Sequence, residues 1–427
     1  MPPSPSHPRL RLVPIVLAQV IGLACGVASL RLNSHLVPPH VLGVYGLFLT
    51  FTPIGMWLVY VGVLKYVVRH WAATPARADL CRTLLGVWLR RLPLLAALAA
   101  VPPVVLAQLD GTERLALWAA LLTSAALLTV ATMAQMALQA DRAHWRDCAA
   151  AATASISRSF LPPLFYVCAA NVTSLWLGFT AHALVSALAG LGVLRASVTG
   201  EPARPETAAT PSWRTYEGPL FTVLAVANLI VLGLNRWLVA WFFGEQEAGY
   251  FTLAGGAVTI ITSMLATVLI QYAQPGWFAL GDQAAGNPRA VARHVDLVAL
   301  VYTAAGLGGV ALLATAAPHL VGPLISPGYR DALGWIFPAG CFGLTLSLGL
   351  FYHTMLLAGR RERACGPVDL LTAGILIAGC VGTAAAGREW LVRWLVVTPL
   401  VPWLLTRPLA RHFLFKPAAD PAREPGR

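Results

Sequence analysis

Apolar runs of about 20 residues recur along the whole chain, and that length restricts the fold more than any other feature. At about 1.5 Å per residue, such a run crosses the ~30 Å hydrocarbon core of a bilayer as a helix. The runs predict spans at about 12–31, 41–64, 92–109, 115–138, 150–169, 172–194, 218–243, 249–273, 293–316, 334–358, 366–386 and 389–406. Between the sixth and seventh, residues 195–217 are polar and rich in proline. The expected fold is therefore an all-α polytopic membrane protein with about 12 transmembrane helices in two six-helix lobes. The lobes are expected at 1–194 and 218–412, with a cytoplasmic linker at 195–217 and a cytoplasmic tail at 413–427. Leu12 to Leu30 is long and has no small-residue cleavage site, so it reads as the first membrane helix and not as a signal peptide. Charged residues make up 11% of the chain, against the ~25% of a soluble domain.

The net charge of +12 reads as positive-inside bias and not as nucleic-acid binding. Twelve spans with the amino terminus inside put only Arg31, Arg114, Arg330 and Arg388 in outer loops. Arg158, Arg236 and Arg393 fall within spans, and every other Lys and Arg lies inside. A change of one span would destroy this asymmetry. Residues 77–91 carry Leu80, Leu84, Val87 and Trp88 at helical spacing with arginines at the borders. They are expected to lie on the inner leaflet as an amphipathic helix, the alternative being an extension of the third span. The seven cysteines have no paired spacing, so neither a disulfide framework nor a metal site is implied.

The two halves echo one another. Leu42-Gly43-Val44-Tyr45-Gly46-Leu47 aligns with Ala248-Gly249-Tyr250-Phe251-Thr252-Leu253, and the same offset carries Lys65 to Gln271. Ala140-Asp141-Arg142 is echoed by Ala358-Gly359-Arg360. Repeats with an even number of spans insert in one orientation, so they are parallel repeats about a pseudo-two-fold axis along the membrane normal. That geometry places a shared cavity between the lobes.

One cation is placed unusually. The seventh span holds Asn228, Asn235 and Arg236, spaced so that they share a stripe of the helix. A guanidinium in lipid costs several kcal/mol, so Arg236 is expected to face a watery cavity. The rival placement has it snorkelling or pairing with Glu245 or Glu247.

With the loop Val37-Pro-Pro-His-Val-Leu-Gly43-Val-Tyr45, the pair Asn235-Arg236, Gly244-Glu-Gln-Glu-Ala-Gly249-Tyr250, Gln274-Pro275, Pro327-Gly-Tyr329 and Gly359-Arg360-Arg361, the chain resembles one branch of a transporter superfamily. It is the oligosaccharide-flippase branch of the multidrug/oligosaccharidyl-lipid/polysaccharide exporters. Two departures stand out: the branch often carries an acid where Asn235 stands, and lipid II flippases have two more spans. The resemblance implies two lobes that alternately open a cavity, in a bacterial cytoplasmic membrane with both termini inside. It implies a polyprenyl-diphosphate-linked glycan as cargo, for cell-surface polysaccharide assembly. Membrane lipids, and a glycan polymerase or glycosyltransferases, are its expected partners; nucleic acid is not one. No cofactor and no catalytic role are implied.

Moving such a cargo needs cations for the diphosphate and hydrogen bonds for the sugars. The candidate substrate-binding residues are Arg236, Asn235, Asn228, Lys65, Arg31, Gln19 and Gln271, with Arg158 and Arg393 as weaker candidates. No Asp or Glu falls deep within a predicted span, which argues against a cation-coupled drug antiporter of the same fold. The outer loops are short and the first contains no acid, which argues against a polytopic glycosyltransferase or polymerase.

Overall fold

Helices start and stop where orphan backbone groups find local partners. Asp110 accepts from the backbone N–H of Glu113 at 2.7 Å, and the Glu113 carboxylate reaches back to the N–H of Asp110. This reciprocal cap starts a 30-residue helix at Gly111. Pro39, whose ring presets φ, opens another after the extended Pro38. Ala170 turns left-handed, with φ 49°, and ends a third.

The computed structural model describes residues 8–71, 77–106, 109–141, 143–198, 233, 235–282, 287–359 and 361–416. Its helices are α1 (Pro8–Leu36), α2 (Pro39–His70), α3 (Arg77–Ala99), α4 (Val101–Val105), α5 (Gly111–Ala140), α6 (His144–Ala169) and α7 (Val172–Val198). They continue as α8 (235–243), α9 (Glu245–Asp282), α10 (Pro288–Leu320), α11 (Leu333–Ala358), α12 (Glu362–Ala386), α13 (Arg388–Val397) and α14 (Arg407–Phe415). Among the described residues no β-strand forms, and nine helices are long and apolar enough to cross a bilayer. The fold is all-α and polytopic. Residues 195–198 of the expected linker continue α7, and the rest of that linker lies outside the described residues.

Two local expectations are corrected. Residues 77–91 form no separate helix, because α3 runs unbroken from Arg77 to Ala99, as the alternative expectation had it. Its apolar stripe, Leu80, Leu84 and Val87, is buried against Val63, Val67, Trp71 and Ala137. Protein covers that stripe, so lipid is not needed to do so. The last expected span is also broken: α13 ends at Val397, and a wide π-type turn at Pro402–Thr406 precedes α14. Pro399 and Pro402 each remove a backbone donor there.

Packing differs at the two ends of the molecule. At the end carrying the α1–α2 turn, one buried cluster runs through both halves, joining Tyr45, Phe48 and Trp176 to Phe251, Tyr329 and Trp335. At the opposite end the clusters separate. One is built from the second half alone, around Trp277, Tyr302, Phe351 and Tyr352. The others come from the first half, around Val63, Trp71, Tyr60 and Leu95. Among the described residues the halves thus share one buried core at one end and have separate cores at the other.

Backbone contact makes the seal. A Cβ on Gly43 would run into the carbonyl oxygen of Glu245, and a Cβ on Gly249 into the carbonyl oxygen of Pro39. These contacts exchange under the 206-residue offset of the repeat, as expected of a two-fold axis passing between α2 and α9. Side chains reinforce it: the Tyr329 hydroxyl donates to the carbonyl of Val37 at 2.8 Å, and Ser34 Oγ donates to the carbonyl of Leu324 at 3.2 Å.

Candidate functional site

Beside this seal, α1, α2, α6, α8 and α9 enclose a cavity of about 370 Å³. Helical periodicity decides what faces it. From α1 come Gln19, Gly22, Gly26, Ser29 and Asn33; from α6, Ser155, Arg158, Ser159 and Pro162; from α9, Thr252, Gly256, Thr259, Ser263 and Thr267. The α1 and α9 sets repeat every three or four residues, and in the α6 set Ser155, the neighbours Arg158 and Ser159, and Pro162 do so by turns, which is one face of a helix. The α1 face from Gln19 to Asn33 runs about 21 Å along the axis, well over half the hydrocarbon thickness. Val16, Val20 and Val27 on α1 are exposed and keep an apolar face outward.

Two cations enter this chamber, whose walls mix these polar groups with Leu23, Leu30, Leu253 and Ile260, from opposite halves of the chain. Arg236 on α8 is partly buried, and its Nη2 comes within 3.8 Å of where a Cβ would stand on Gly255 of α9. Arg158 on α6 is exposed within the chamber, close enough for its charge to act on Arg236. Among the described residues no carboxylate pairs with either guanidinium. Glu247, one rival partner of Arg236, instead pairs with Arg388 at 3.4 Å and accepts from the Trp335 indole at 2.8 Å. The walls also hold unused hydrogen-bonding capacity: Asn33 Oδ1 and Thr252 Oγ1 are buried without a partner among the described residues.

The sequence candidates divide. Arg236 and Gln19 line the cavity. Asn235 is buried, 3% exposed, and is not among the lining residues. Neighbours on a helix point about 100° apart, so Asn235 and Arg236 take different surroundings. Arg31, expected in an outer loop, is exposed within α1, which runs on to Leu36, and lies outside the cavity lining. Asn228 lies outside the described residues, as do the side chains of Lys65 and Gln271. Arg158 enters the chamber, whereas Arg393 stays on the surface of α13, over the Trp390 ring at 5.1 Å and 3.9 Å from Glu389.

Sequence reasoning passed over the hydroxyl row Thr252, Thr259, Ser263 and Thr267. The signal was there, as hydroxyls four or seven residues apart in an apolar run, but a Ser or Thr in such a run bonds equally well to its own helix. Thr259 and Thr267 do so, donating to the carbonyls of Gly255 and Ser263. Among the described residues no group of three His, Cys, Asp or Glu is placed to hold a metal ion.

A family model described as "Polysaccharide biosynthesis protein" matches residues 34–327. No curated protein matches the chain. Solved structures do. One is the inward-facing conformation of a multidrug resistance MATE family transporter of the MOP superfamily, with TM-score 0.65 and 14% identity, covering 95% of this chain and 100% of that one. Another is the lipid II flippase MurJ in an inward closed conformation, with TM-score 0.64 and 10% identity over 94% of this chain and 86% of that one. A third is MATE in complex with MaD3S, with TM-score 0.63, 14% identity and 95% coverage of both chains. At such identities the likeness is one of fold, and it extends over nearly the whole chain.

Proposed function

Because this chain belongs to the polysaccharide biosynthesis protein family and has the fold of the MOP-superfamily transporters, we propose that it is a flippase for a polyprenyl-diphosphate-linked oligosaccharide. It carries the glycan from the inner to the outer leaflet of a bacterial cytoplasmic membrane, for surface polysaccharide assembly. A glycan polymerase and glycosyltransferases work on either side of it.

The observation that carries this reading is the pair Arg158 and Arg236, facing one chamber without a counter-carboxylate among the described residues. Two guanidiniums that face one chamber with no carboxylate between them among the described residues repel one another, and a diphosphate between them relieves that repulsion. Because one arginine comes from each half, an anion bound to both ties the two halves together. The hydroxyls of α9 and the amides of α1 then serve the first sugars. At about 370 Å³ the chamber is at the small end for a drug-sized ligand, which suits the diphosphate and adjoining sugars. A longer glycan extends past the end where the halves separate, while the polyprenol stays in the bilayer.

Arg236→Ala is expected to abolish surface polysaccharide while protein level and membrane insertion stay normal. Retained export in that variant removes Arg236 from the mechanism. One observation favours a second reading, cation-coupled antiport. Asp369 on α12 is buried, 7% exposed, and its Oδ2 lies 2.8 Å from His353 Nδ1. Transport lost in Asp369→Asn but kept in Arg236→Ala would select that reading.

A further inference from the structure

A second groove, of about 790 Å³, lies on the surface of the second half. Helix α10 runs from it to the loop that meets the α1–α2 turn, so the groove sits at the opposite end, expected to be cytoplasmic. Arg293, His294, Asp296, Leu297 and Leu300 of α10 form one wall, and Trp403, Arg407 and Arg411 the other.

Among the described residues, charge here is unbalanced and partly fixed in place. Asp296 holds Arg407 side-on at 3.0 and 3.1 Å and also accepts from Arg411. The Arg407 guanidinium packs over the Trp403 ring at 5.4 Å. One carboxylate thus serves two arginines, while Arg293 and His294 are exposed and unpartnered among the described residues. Donors exceed acceptors: Arg411 Nε and the buried Tyr352 hydroxyl have no partner among the described residues either. Guanidiniums already held in place lose little freedom on meeting an anion.

Above this basic end the same face turns apolar. Leu297 and Leu300 stand four and seven residues past Arg293, about 6 and 10 Å along the helix, and are 57% and 56% exposed. A cationic floor beneath a leucine wall matches a molecule with an anionic head and hydrocarbon tails. A small soluble anion would make no use of the leucines.

We propose that this groove binds an anionic bilayer phospholipid, its phosphate among Arg293, Arg407 and Arg411 and its acyl chains along Leu297 and Leu300. The groove is separate from the chamber of Arg158 and Arg236, so the assignment stands apart from the identity of the transported lipid. Basic pockets at the inner face of membrane proteins bind lipid heads by this chemistry.

The test uses the purified full chain in detergent, with phosphatidylglycerol, phosphatidylcholine or inorganic phosphate added, read by thermal unfolding and by native mass spectrometry of retained lipid. Phosphatidylglycerol is expected to raise the unfolding midpoint and to remain bound, while phosphatidylcholine and phosphate do neither. Arg293→Gln and Arg407→Gln should each weaken retention about fivefold, and Arg393→Gln, an exposed arginine elsewhere, should leave it unchanged. Arg293 is exposed and makes no hydrogen bond or ion pair among the described residues, so its variant is decisive if Arg407→Gln proves unstable. Equal retention of the two phospholipids, unchanged retention in Arg293→Gln, or equal stabilisation by phosphate would overturn the proposal. So would displacement of phosphatidylglycerol by a polyprenyl diphosphate, which would assign the groove to the transported lipid.

Discussion

Gly43 lies against the carbonyl of Glu245, and Gly249 lies against the carbonyl of Pro39, one contact being the image of the other across the axis between the halves. No side chain intervenes, so α2 and α9 meet backbone to backbone. Gly43→Ala should force them apart at about 1–3 kcal/mol, shifting the balance away from this closed end roughly 5- to 150-fold. Ser34, 3% exposed here, reports on it. With Cys168 replaced by serine, Ser34→Cys should label faster with an impermeant maleimide when Gly43→Ala is present. Gly86→Ala, where a Cβ meets nothing within 4 Å, should not change the rate. Unchanged labelling in Gly43→Ala would mean that this contact does not hold the end shut.

Arg158 and Arg393 both fall within predicted spans, but only the first reaches the chamber. Losing a charge-assisted bond to a diphosphate costs about 1.5–3 kcal/mol, or roughly 10- to 150-fold in affinity. Arg158→Ala is therefore expected to cut export by a factor in that range, and Arg393→Ala to leave it near wild type. Glycan export measured at matched protein levels separates the two, and equal effects would count against a site built on Arg158.

Asp141, just past α5, binds Arg77 at 2.7 and 3.2 Å and accepts the Trp71 indole N–H at 2.9 Å, with Arg77 and Asp141 about one-tenth exposed. Removing one partner of a buried pair strands the other, at about 3–5 kcal/mol. Asp141→Asn should lower the unfolding midpoint by several degrees, and a midpoint within a degree of wild type would show the pair to be dispensable. The sequence repeat pairs Asp141 with Gly359, so the second half has no equivalent anchor at that position.

Asp110 lies in the loop before α5. The backbone N–H of Glu113, and then the Thr112 hydroxyl, hold its carboxyl below the ordinary carboxylate range. A depressed folded-state value means that the cap contributes fully above the unfolded value of about 3.9 and is lost as pH falls through the folded one. Amide exchange at Thr112–Arg114, corrected for its intrinsic pH dependence, should accelerate below that range in wild type. Asp110→Asn should remove the pH dependence, and an unaltered profile would assign it to another group.

Most of the apolar spans were legible in the sequence, because lipid imposes a length and a polarity that single residues must obey. The Gly43–Gly249 echo was legible too, though not that the two glycines meet. Which polar groups share a chamber was a different matter. Arg158 and Arg393 look alike along the chain, and Asn235 sits beside Arg236, yet helix rotation and lobe packing send them to different surroundings. The stripe of α3 shows the same limit: its spacing required an apolar partner, and whether lipid or α2 and α5 supplied it was decided by the fold. A linear pattern states what each side chain needs from its environment, whereas distant helices, brought together by burial, determine which neighbour meets that need.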